Sequence, residues 1–214
     1  MLYPELRQKI VETFRKLDEL GLTYGTAGNI SIKIPEENLF LITPSGVRKS
    51  ALKPEDILVI DEKRKVIEGE RNPSVETPMH LAIYKYREDA KAVIHAHPIY
   101  SSILAVTGIE IPPIVEEMIL YTGGEVKVAK YAPPGTQELA NNVVEALGDR
   151  KAALLMNHGV ITCGKDLEDA LDVLICVERT AKIYILAKLI GEPKMLPEKI
   201  IEVEKDLFRL KQQY

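Results

Sequence analysis

Three short apolar runs, residues 30–34, 39–42 and 57–60, follow one another with no helix-patterned stretch between them, and this restricts the fold more than any other feature. Parallel neighbours need a crossover of a dozen or more residues, so strands this close in sequence are expected to pair antiparallel. The first run, Ile30-Ser31-Ile32-Lys33-Ile34, alternates apolar and polar side chains like a half-buried strand. Thr43-Pro44-Ser45-Gly46 supplies a turn after the second. Two later apolar runs, 92–95 and 152–156, read as further strands.

Helical patterns surround these runs. Leu6, Ile10, Phe14 and Leu17 recur at spacings of three and four within 5–20, and Gly21 can end that helix in the left-handed conformation. A second helix is expected after Thr77, whose hydroxyl would cap it ahead of Pro78, with Met79, Ile83 and Tyr86 toward the core. Others enter through Pro98 and end near Gly108, span 136–147 and 166–190, and occupy 198–211. The sum is an α/β fold, a three-layer α/β/α arrangement around a mixed, largely antiparallel central sheet, in one domain over 1–214.

A formal charge of −4 leaves no basic stripe for a phosphate backbone, which argues against nucleic-acid binding. The longest apolar stretch, 171–190, is interrupted by Asp172, Glu178, Arg179, Lys182 and Lys188, so it suits an amphipathic helix and no membrane span. Glu5, Arg7 and Lys9 near the start, without an apolar core segment, give no secretory signal, and a cytoplasmic location is expected. Cys163 and Cys176 lie in different elements without metal or redox spacing and read as buried thiols. Plentiful Lys, Glu and Arg with scarce Gln suit a thermophile.

The chain has 4 histidines, and two of them, His95 and His97, end an apolar run. Side chains at i and i+2 of a strand share a face about 6–7 Å apart along the backbone, close enough to converge on one ion. His158, in Met156-Asn157-His158-Gly159, also follows a buried-looking strand. Two histidines in such a run also occur as satisfied strand residues, but a third at another strand's carboxyl end favours a metal, because a catalytic zinc takes three protein ligands and keeps a position open. Glu76, just ahead of the second helix, could be a fourth ligand or a general base beside the metal, although acidic residues also favour helix starts for dipole reasons alone. His80 suits a supporting or packing role behind the ligands. Gly25-Thr26-Ala27-Gly28-Asn29, Thr43-Pro44-Ser45-Gly46 and the region of Ser74 could form an anion nest, while each alone reads as a tight turn.

In this order these motifs, with Ala132-Pro133-Pro134-Gly135-Thr136, resemble the zinc-dependent class II sugar-phosphate aldolases, and within them the L-fuculose-1-phosphate aldolase group. The resemblance implies one Zn2+ per subunit on His95, His97 and His158, with Glu76 leaving the metal to act as base. It implies phosphate among Thr26, Gly28, Asn29, Ser45, Gly46 and Ser74, and a homotetramer with active sites at subunit interfaces. The reaction implied is cleavage of a ketose 1-phosphate to dihydroxyacetone phosphate and a small aldehyde such as lactaldehyde.

One position departs from that pattern. Where the family's fuculose-phosphate aldolases bring a tyrosine from the neighbouring subunit to the C4 oxygen, this chain has Glu117, with Tyr121 and Tyr214 as substitutes. The family's methylthioribulose-1-phosphate dehydratases resemble the chain at Glu117. Dehydration or 4-epimerisation of a related sugar phosphate is therefore an alternative, as is a non-catalytic module like the adducin head.

Overall fold

The computed structural model describes residues 1–35 and 37–212. The opening amphipathic segment forms α1 (Pro4–Glu19), which buries Ile10, Val11, Phe14 and Leu17, and Gly21 follows it at φ 67°. β1 (Asn29–Ile34), β2 (Leu39–Ile42) and β3 (Leu58–Asp61) pair antiparallel in succession, as their short connections require. Beyond them come β4 (Val66–Glu68), α2 (Thr77–Tyr86), β5 (Ala92–Ala96), α3 (Ile99–Thr107) and α4 (Glu116–Thr122). The remainder is β6 (Lys127–Ala129), α5 (Gln137–Leu147), β7 (Ala152–Leu155), β8 (Gly159–Gly164), α6 (Leu167–Ile190) and α7 (Glu198–Lys211).

One 8-stranded sheet runs in the order β4-β3-β2-β1-β5-β8-β7-β6. Among the described residues only the β6–β7 pair is parallel. Alternate residues of each strand feed two apolar layers. Ile30, Ile32, Ile94 and Leu154 face α1, α3 and α6. Phe40, Val93, Leu155 and Ile161 face α2 and α5. This is the expected α/β/α layering with a mixed, largely antiparallel sheet. Among the described residues no helix is long and apolar enough to cross a membrane. Both thiols are free and buried.

The structure corrects two local expectations at α2. Its N-cap is Glu76, whose side chain makes no cap, while the Thr77 hydroxyl donates back to the Ser74 carbonyl at 2.6 Å. The carboxylate is thereby left for other partners. The inward tyrosine is Tyr84, stacked on Phe40 with centroids 5.3 Å apart, whereas Tyr86 is exposed. Thr136 and Asp166, expected as first helical residues, are N-caps that accept from Leu139 N–H and Asp169 N–H.

Candidate metal centre

β5 and the β7–β8 turn lie side by side because β5 pairs with β8 along five residues, His95 opposite Ile161. His95, next to last in its strand, is fully buried, His97 follows the strand's last residue Ala96, and His158 sits in a three-residue loop between the paired Leu155 and Gly159. Asn157, at φ 57°, takes the left-handed turn that presents His158, a conformation asparagine tolerates better than most residues. Gly159 is required for a different reason. A Cβ there would lie 2.5 Å from the Ala96 carbonyl oxygen and 2.6 Å from His97 Cδ2.

The three rings meet with centroids 4.7 to 4.9 Å apart, and one nitrogen from each lies within 4.8 Å of the others. His95 Nδ1 donates to the Val160 carbonyl at 2.9 Å, so in the neutral ring the Nε2 lone pair faces the cluster, 2.8 Å from His97 Nε2. Burial lowers the pKa of His95 well below the ordinary imidazole value, and His97 and His158 push it the same way. Burial and His158 lower that of His97. Neutral imidazoles are the metal-binding form.

Glu76 closes the cluster from the N-terminus of α2. Its Oε2 lies 3.3 Å from His95 Nε2, and its Oε1 lies 3.3 Å from His158 Nε2. The carboxylate is 7 % exposed, and Oε1 is buried without a hydrogen bond. A buried carboxylate oxygen without a donor is costly. Three imidazole nitrogens gathered together, with an orphaned carboxylate oxygen beside two of them, form a donor set that fits a divalent cation. Oε2, by contrast, accepts from Asn29 Nδ2 at 2.7 Å.

Behind Asn29 stands His80, fully buried, with Nε2 at 2.5 Å from Asn29 Oδ1 and Nδ1 at 2.7 Å from Ser31 Oγ. Burial lowers the His80 pKa to about 3, with His95 adding to the effect and Glu76 opposing it. His80 thus contacts Asn29 and Ser31 and is not among the three clustered imidazoles. Lys49, which the motifs did not single out, is 2 % exposed and places Nζ 4.8 Å over the Phe14 ring. Its burial lowers the ammonium pKa to about 8, Glu76 pulling it back up.

The three glycine and hydroxyl stretches are tied together by backbone bonds. Ser45 N–H donates to the Asn72 carbonyl at 2.9 Å, Ser74 N–H to the Thr43 carbonyl at 3.2 Å, and Lys49 N–H to the Gly25 carbonyl at 2.9 Å. Thr26, Ser45 and Gly46 are exposed, while Gly28, Asn29 and Ser74 are buried beside Glu76 or the β5 backbone. Glu117 and Tyr121 are not part of this gathering. They lie exposed on α4, which packs against α6 and α7, and among the described residues neither is hydrogen-bonded or ion-paired to the cluster. Tyr214 lies outside the described residues.

Residues 8–185 match the model of the Class II Aldolase and Adducin N-terminal domain. The chain is 43 % identical over 202 residues, 94 % of each sequence, to the 5-deoxy-D-ribulose 1-phosphate aldolase of Bacillus thuringiensis serovar kurstaki. It is 37 % identical over 189 residues, covering 88 % of this chain and 86 % of the other, to the L-fuculose phosphate aldolase of Escherichia coli K12. A solved L-fuculose 1-phosphate aldolase superposes with a TM-score of 0.92 at 42 % identity, covering 96 % of both chains. The chain belongs to the class II aldolase and adducin family, on its enzyme side.

Proposed function

We propose that the chain, acting as one catalytic domain, is a divalent-metal aldolase that reversibly cleaves a ketose 1-phosphate to dihydroxyacetone phosphate and a small aldehyde. Zinc is the proposed metal, at one ion per subunit. The observation that carries this is the Glu76 carboxylate against two of three clustered imidazoles, with one buried oxygen unsatisfied. The sequence pointed to L-fuculose 1-phosphate. Comparable identity to an aldolase named for 5-deoxy-D-ribulose 1-phosphate and to a solved L-fuculose 1-phosphate aldolase supports a broader class, ketose 1-phosphates with a methyl end, whose aldehydes are acetaldehyde or lactaldehyde.

His95, His97 and His158 would hold the cation, with Glu76 a ligand until substrate enters. When bound, the cation supplies Lewis-acid stabilisation of the negative charge that grows on the ketone half as the C3–C4 bond breaks. The residues of the chain do the rest. Thr26, Gly28, Asn29, Ser45, Gly46 and Ser74 bind the phosphate through N–H and O–H donors and so fix where C3 stands. Glu76 carries a proton to and from C3.

Glu117 of a neighbouring copy takes the proton of the C4 hydroxyl, with Tyr121 as its substitute. Two observations support a site completed between copies, in a homotetramer. Glu117 does not reach the cluster of its own chain, and Ile99, Ile103 and Val106 form an exposed apolar stripe on α3 directly after His97.

The test is cleavage of 5-deoxyribulose 1-phosphate and L-fuculose 1-phosphate before and after chelation. Dihydroxyacetone phosphate is expected from both, lost on metal removal and restored by Zn2+. Cleavage that survives complete metal removal would overturn the proposal. Dehydration, which Glu117 favours, would give no three-carbon phosphate.

A further inference from the structure

The polar groups behind Glu76 form one hydrogen-bonded row whose donor direction is set by its end. A carboxylate only accepts, so the Asn29 group facing Glu76 Oε2 at 2.7 Å is the amide NH2. Asn29 Oδ1 must then accept, and the His80 nitrogen 2.5 Å from it, Nε2, carries the proton. A neutral His80 leaves Nδ1 as an acceptor, so Ser31 Oγ–H donates to it across 2.7 Å. Ser31 Oγ, having used its proton, accepts from Tyr84 O–H at 2.8 Å. Tyr84 O–H, Ser31 O–H, His80 N–H and Asn29 N–H thus all point toward Glu76.

The row spans two elements. Asn29 and Ser31 lie on one face of β1, and His80 and Tyr84 lie one helical turn apart on α2, so β1–α2 packing assembles it. His80, Tyr84, Ser31 and Asn29 are each at most 3 % exposed. An amide side chain can present either its oxygen or its nitrogen. Without a donor on its Oδ1, Asn29 could turn and set an oxygen against the Glu76 carboxylate.

We propose that His80, backed by Ser31 and Tyr84, is a positioning residue that locks the Asn29 amide so that Glu76 Oε2 is held by an N–H and Oε1 alone stays free for the cation or for substrate. The inference deepens the aldolase reading and rests on it for its catalytic arm. Its metal arm rests only on the cluster geometry. Removing partners that orient a metal-site ligand typically lowers metal affinity or activity about 10–100-fold.

The experiment loads the protein with Co2+ and measures cobalt affinity, the visible cobalt spectrum and kcat for ketose 1-phosphate cleavage. In His80→Leu, cobalt affinity and kcat are each expected to fall about 10–100-fold with an altered spectrum. His80→Gln, which returns an N–H near the lost Nε2, should recover most of both losses. In a Glu76→Gln background, His80→Leu should have no further effect on cobalt affinity. Equal impairment of the Leu and Gln variants with a native cobalt spectrum, or an undiminished effect without Glu76, would overturn the proposal.

Should His80→Leu fail to fold, Tyr84→Phe carries the test, because it keeps the ring on Phe40 and removes only the O–H. An unchanged spectrum, affinity and kcat in Tyr84→Phe would then overturn the proposal. A native chain that cleaves neither sugar phosphate, yet shows the cobalt changes, would sink the aldolase reading and leave this one standing.

Discussion

Asn29 and His95 are direct partners across the antiparallel β1–β5 ladder, with both side chains on the α2 side of the sheet. A slip of one residue in either strand would turn its own side chain away and leave the two on opposite faces. The register is protected at Gly28, where the chain enters β1 at φ 78° and a Cβ would lie 2.7 Å from the His95 carbonyl oxygen.

Gly28→Ala should therefore be costly twice over, through left-handed strain and through a clash with backbone that cannot rotate away. A loss of about 2–4 kcal/mol is expected, read as a fall of roughly 5–15 °C in Tm. Thermal unfolding followed by circular dichroism measures it. A variant as stable as the native chain would mean that the β1–β5 junction is looser than described.

Metal removal should destabilise the native chain by mass action. An ion that binds only the folded state at a thousandfold excess over its Kd contributes about 4 kcal/mol. Gly159→Ala should forfeit much of this while still folding, because its Cβ would displace His97 and the Ala96 carbonyl. Calorimetric scans with and without chelator, on both proteins, read the difference. Identical Tm shifts in the two would show that His97 does not hold the ion.

Much of this site was legible in the sequence because its signals are local. His95 and His97 stand two residues apart at the end of one apolar run, and Ile30 to Ile34 alternates cleanly. What escaped depended on distant partners or short spans. β4 and β6 have three residues each, too few for a period. β8 is buried on both faces, so Gly159–Gly164 shows no alternation. His80 meets Asn29 and Ser31 from 51 and 49 residues away, and helical spacing could not choose Tyr84 over Tyr86 without knowing that Ser31 waits for a hydroxyl.

His80 also predicts a pH effect on folding. Burial holds the ring neutral in the fold, with a pKa of about 3 against 6.5 for an ordinary imidazole. Between those values the unfolded chain binds the extra proton, so stability falls as pH falls, by about 1.4 kcal/mol per unit from this group. Urea unfolding of metal-free protein should show the native chain losing about 2 kcal/mol more than His80→Gln between pH 6.5 and 5. Equal losses would show that His80 is already protonated in the fold.

The exposed position of Glu117, away from the histidines of its own chain, makes subunit exchange the sharpest test of a shared site. Glu76→Gln and Glu117→Gln should each lower kcat about 10²–10⁴-fold, as expected for loss of a proton-transfer group. If Glu76 and Glu117 serve one site from different copies, unfolding and refolding the two inactive proteins together in equal amounts should restore activity. In a closed ring assembled at random, a site is intact when one chain keeps Glu76 and its neighbour keeps Glu117, which happens at about a quarter of the sites. Recovery near that fraction of native activity fits a site shared between copies. No recovery, with mixed oligomers demonstrated by mass spectrometry, would place Glu117 outside the reaction or within its own chain's site. An α3 variant, Ile103→Lys, supplies the converse, since breaking the stripe of Ile99, Ile103 and Val106 should separate the copies and abolish cleavage without emptying the metal site.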